Sequence, residues 1–132
     1  MIANFRVWDK EEKKMHKVKT IEFSRRGARI IHLAEVQSNG KGDHKRWHSS
    51  VELMQSTGLK DKNGVEIYEG DIVHVNYRLG TVKYTKGSFY IKLLNSSKFI
   101  LLSDFYFKSY TNDWILKILG NIYQNPELLE GE

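Results

Sequence analysis

The sequence predicts a mostly β protein, and three observations carry that prediction. Short apolar stretches alternate with period two after residue 70, glycines punctuate them, and β-branched and aromatic residues fill them. The 132 residues suit one domain, 1–132, with a core large enough to hold without staples. For the C-terminal half the expected architecture is a small SH3-like barrel or a bent antiparallel sheet. A β-rich N-terminal portion precedes it and a short helical turn ends it.

Taken in order, Val18–Phe23 reads as a strand with imperfect alternation. Between Ala28 and Val36, Ile31 and Leu33 fit a strand, while Ile30, Leu33 and Ala34 fit a helical stripe. The strand is favoured, because Gly27 precedes the run and two isoleucines open it. Gln37–Asp43 combines polar residues with two glycines and reads as a loop, which puts a subdomain seam near residues 37–48. In Asp71–Tyr77, the residues Val73, Val75 and Tyr77 fall on one face, with His74 and Asn76 turned outward. Gly80 is followed by Thr81–Tyr84, and Gly87 by Phe89, Ile91 and Leu93. Ile100–Leu102 follows the turn-like Asn95-Ser96-Ser97, and Trp114, Leu116 and Ile118 alternate before Gly120. In the tail, Asn125 can cap, Pro126 suits the first helical position, and Glu127 sits at the positive end.

Composition removes several chemistries. There is no cysteine, which excludes disulfides, thiolate zinc sites and a cysteine nucleophile. No apolar run approaches the ~20 residues that span a bilayer, and the N-terminus lacks a signal-peptide core. The expected location is the cytoplasm of the producing or infected cell, with no membrane partner. No Gly-x-Ser-x-Gly elbow, Walker sequence or dinucleotide fingerprint is present, so the expectation is a binder rather than an enzyme, without a cofactor.

The net charge of +5 is uneven. Residues 1–50 carry a balance of +6 and residues 51–132 a balance of −1. Arg25, Arg26 and Arg29 cluster around Gly27, and Lys41, Lys45, Arg46 and Trp47 follow, with His44 and His48 beside them. Cations neutralise phosphates and an exposed Trp47 could stack on a base, which makes these seven the candidate nucleic-acid contacts. The competing expectation is that Trp47 is buried as a core or interface anchor. His44 and His48, four apart, would share a helix face, but the segment is poor helix material and nothing designates a third ligand. No metal site is expected there.

Asp61, Glu66, Glu69 and Asp71 could hold a divalent cation through oxygen ligands. Turn chemistry explains them better: Lys60–Gly64 has the composition of a tight turn, and Glu69-Gly70-Asp71 introduces a strand. Phe105-Tyr106-Phe107, Tyr110 and Trp114 would either close one side of a barrel or, exposed, mark a homo-oligomeric interface.

Three segments resemble the YopX family of small bacteriophage and prophage proteins. They are Phe5-Arg6-Val7-Trp8-Asp9 with Met15, then Met54 through Val73, then Gly120 through Leu129. The middle segment, with Thr57-Gly58-Leu59-Lys60-Asp61-Lys62-Asn63-Gly64 and Tyr68-Glu69-Gly70-Asp71, is the most specific. Ser56 stands where the family often has an aromatic residue. The resemblance implies a mostly β fold, a phage or prophage origin and no established activity or site residues. The sequence therefore points first to a non-enzymatic interaction protein with a host or phage protein as partner. A nucleic-acid-binding accessory protein using the basic half comes second, and a small cation-dependent enzyme using the acids of 61–71 third.

Overall fold

A computed structural model describes residues 4–23, 25, 27, 29–34, 44–105 and 115–130. The chain groups into two compact units, Met1–Gln55 and Ser56–Glu132.

In the first unit, β1 (Phe5–Asp9), β2 (Lys14–Phe23), β3 (Arg29–Leu33), β4 (Lys45–Trp47) and the first half of β5 (Val51–Lys60) form an antiparallel sheet ordered β4-β3-β2-β1-β5. A single 3₁₀ turn, η1 (His48–Ser50), joins β4 to β5. One face buries Val7, Ile31, Leu33 and Val51, with Val18, Ile21 and Leu53 packed on them. Alternation selects this set, because each strand turns every second side chain to the same side. Arg46 on β4 lies three strands from β1 in pairing order, some ~14 Å away in a flat sheet at normal strand spacing. Its side chain nevertheless bonds Asp9, so the sheet curls around this small core.

In the second unit the latter half of β5 pairs with β6 (Glu66–Tyr68). A second antiparallel sheet follows, ordered β10-β9-β8-β7-β11. It comprises β7 (Asp71–Val75), β8 (Arg78–Thr85), β9 (Ser88–Leu93), β10 (Phe99–Leu101) and β11 (Leu116–Asn121). Val73, Val75, Val82, Ile91, Leu93 and Leu116 point to one face and, with Ile67, Leu102 and Phe105, form the larger core. The expected strands are present, but the closed barrel is not: β10 and β11 are sheet edges, with no pairing between them among the described residues. The physical reason is length. β10 is three residues long and the chain turns helical at 102–105.

Tyr77 departs from the alternation expected of it. Asn76 and Tyr77 have φ of 47° and 70° and form the two-residue link between paired Val75 and Arg78. Positive φ at both central residues is the hairpin turn that matches strand twist, and it ejects Tyr77, 94% exposed, from the core face. Tyr77→Gly is expected to stabilise the fold by about 0.5–1 kcal/mol, since glycine takes this conformation without steric cost. A rise of a few degrees in the thermal midpoint checks it.

The tail forms a 3₁₀ turn, η2 (Pro126–Leu129), but the Asn125 side chain does not cap it. It turns back instead: Asn125 Oδ1 accepts the Asn121 N–H at 3.2 Å, closing the turn that follows β11. Of the aromatic cluster, Phe105 is buried, whereas Tyr106, Phe107, Tyr110 and Trp114 lie outside the described residues. No helix among the described residues is long and apolar enough to cross a membrane.

Candidate nucleic-acid interface

The candidate basic residues are split by the pleat of the first unit. The register pairs Ile30 with Trp47, Ile31 with Arg46 and His32 with Lys45. Arg46 therefore shares the core face with Ile31, and by alternation with Arg29, while Lys45 and Trp47 occupy the opposite face. Arg25 is exposed in the β2–β3 connection, and Arg26 and Lys41 lie outside the described residues. Trp47 is 59% exposed, so it is not an anchor of this chain's own core. A three-residue edge strand cannot cover an indole with neighbours on both sides.

Arg46 is committed internally. Its Nε donates to Asp9 Oδ2 at 2.6 Å, a second guanidinium nitrogen bonds Glu12 Oε1, and the third donates to the Lys45 carbonyl. Asp9, 2% exposed, also accepts the N–H groups of Glu11 and Glu12 on Oδ1, which closes the β1–β2 turn. Burial alone would push the Asp9 carboxyl up. The Arg46 hydrogen bond and the two backbone donors outweigh it and hold the group below its ordinary 3.8.

Arg29 is placed differently. Its backbone N–H donates to His48 Nδ1 at 3.1 Å, which ties the start of β3 to η1. The Arg29 guanidinium itself has no hydrogen bond or ion pair among the described residues. Arg29, Lys10 and His48 line a concavity of about 410 Å³ together with Ile31, Val51 and Leu53. Glu52 also lines it and pairs with Lys10 at 3.1 Å, so Arg29 is the cation left to attract an anion. Lys10 was not singled out by the sequence, whereas His48 stood beside the candidate contacts.

His44 and His48 do not share a helix face, because they flank β4, and residues four apart along an extended chain are separated by roughly 13 Å. The His/Asp/Glu side chains that converge are Asp9, Glu12 and His16, whose ligand atoms lie within 4.8 Å of one another. The Arg46 guanidinium already neutralises the two carboxylates of that group. Of the acids of 61–71, Asp61 and Asp71 hold turns. Asp61 Oδ1 accepts the N–H groups of Asn63 and Val65, and Asp71 Oδ2 accepts that of Tyr68 at 2.8 Å.

The profile of the YopX protein family matches residues 4–130 of the chain. The crystal structure of protein EF1440 from Enterococcus faecalis is similar at 30% identity, with a TM-score of 0.68, covering 98% of this chain and 99% of that one. No curated protein matches.

Proposed function

The chain belongs to the YopX family, and from that premise we propose that it is a non-enzymatic binding protein of phage or prophage origin whose N-terminal unit engages the phosphates of a nucleic acid. The observation that supports this reading is the concavity holding Lys10, Arg29 and His48, in which the Arg29 guanidinium is unpaired among the described residues. A guanidinium presents a planar fork of donors that fits a phosphate. Arg25 and Lys45 add exposed charge on the same unit. Arg46 has no part in this contact, since it is spent on Asp9 and Glu12.

A gel shift with mixed DNA and RNA at low salt tests the proposal. Binding is expected to weaken as salt rises, with a logarithmic slope of about −2 to −3 for two or three neutralised phosphates. Arg29→Ala is expected to weaken binding severalfold without lowering the melting temperature. Unchanged mobility of every probe at low salt would end this reading.

A further inference from the structure

The second unit carries a surface of a different kind. From Ile72 to Ser103 the chain contains five Lys/Arg residues and no Asp or Glu. The charge balance of the C-terminal half conceals this, because its acids lie on either side. Within the stretch, strand alternation sorts the side chains. Val82, Ile91 and Ile100 turn to the core, and the opposite face of the same three strands carries two cross-strand rows. Lys83, Tyr90 and Leu101 stand in one row, and Thr81, Lys92 and Phe99 in the next.

Phe99 is 61% exposed, and its ring meets that of Tyr90 edge to face, with centroids 5.7 Å apart and planes at 75°. The two rings and Leu101 line a concavity of about 400 Å³, with Lys86, Thr85 and Ser88 on its rim. Lys83, Lys86 and Lys92 are all exposed and have no ion pair among the described residues.

We propose that this outer face of β8–β10 binds single-stranded nucleic acid, stacking unpaired bases on Phe99 and Tyr90 while Lys83, Lys86 and Lys92 neutralise the flanking phosphates. Charge complementarity selects the occupant: a face with several cations and no acid on its strands attracts a polyanion. The rings then select among polyanions. A base already stacked in a duplex offers no free π-face, whereas a splayed single strand offers one per nucleotide. The tilt of Phe99 against Tyr90 leaves each ring a different direction of approach, which suits successive bases rather than one planar ligand. This site shares no residue with the Arg29 concavity and stands on the second unit alone.

Fluorescence anisotropy of labelled oligothymidylate with the full chain tests it, with a duplex of the same length as comparison. The single strand is expected to bind more tightly than the duplex at equal salt. Phe99→Ala is expected to weaken it about tenfold or more, and Phe99→Trp to preserve it, because stacking follows the ring rather than the residue. Paired Lys83→Ala and Lys92→Ala changes should flatten the salt dependence by about one to two units of slope. Phe99 is exposed, so its variants should keep the wild-type melting temperature. Tighter duplex binding, or an oligothymidylate affinity untouched by Phe99→Ala, overturns the proposal. So does binding to anionic lipid vesicles with none to the oligonucleotide. If Arg29→Ala alone weakens binding, this face is excluded while the N-terminal reading stands. If Phe99→Ala alone does so, the reverse holds.

Discussion

Arg46→Ala is expected to cost about 3–5 kcal/mol of stability, the toll of leaving a buried carboxylate without its counter-charge. Asp9 is 2% exposed and would keep only the N–H groups of Glu11 and Glu12. The N-terminal core that would have to absorb this is small, with a cluster of four buried apolar side chains among the described residues, worth about 1.5–3 kcal/mol each. Urea denaturation at neutral pH reads the loss. Arg46→Lys should recover little, since one ammonium cannot reach Asp9 and Glu12 in the two-pronged way a guanidinium does. Arg46→Met combined with Asp9→Asn should recover part of it, because both charges are removed while the Asn carbonyl still accepts the Glu11 and Glu12 N–H groups. If Arg46→Ala melted like the parent and only lost nucleic-acid affinity, the internal role of this arginine would be wrong.

That arginine shows where sequence reading failed. Lys45, Arg46 and Trp47 are neighbours in the chain, so they read as one basic, aromatic contact. In a strand, neighbours point to opposite faces, and β4 sends Arg46 inward to Asp9 and its two flanking residues outward. Asp9 is 37 positions away, and no local pattern announces such a pairing. The strands from Asp71 to Leu101 were legible because glycine-bearing turns reset the period at known places. Tyr77 was misplaced by that same regularity. Asn76 carried the turn signal, but an aromatic after two valines at period two imitates one more strand residue. Sheet closure had no signature at all, because it depends on whether edges separated by many residues meet. The aromatic and lysine face of β8–β10 was hidden for a simpler reason. Charge averaged over 51–132 mixes an acid-free segment with acidic flanks, and only the strand register separates them.

Asp61 is expected to be the other position of large effect, and through architecture rather than chemistry. It is 8% exposed, and its carboxylate accepts three backbone N–H groups: Asn63 and Val65 at 2.9 Å on Oδ1, and Ile118 at 3.1 Å on Oδ2. The first two close the turn after β5, and the third fastens that turn to β11, 57 residues on. Asp61→Ala strands all three donors and should cost about 3 kcal/mol or more. Asp61→Asn should cost about half as much, since its carbonyl still serves Oδ1's two partners while its amide faces the Ile118 N–H donor to donor. Burial pushes this carboxyl up, but the Ile118, Val65 and Asn63 donors, with Lys117 nearby, hold it below 3.8. A group with a depressed folded pKa contributes its full stability above the unfolded value, near 3.8, and loses it as pH falls through the lower folded value. The parent should therefore lose stability below about pH 4 more steeply than Asp61→Asn, whose side chain does not titrate. Parallel acid-denaturation curves would show that the carboxylate is not what fastens β11, and the acids of 61–71 would again need a chemical explanation.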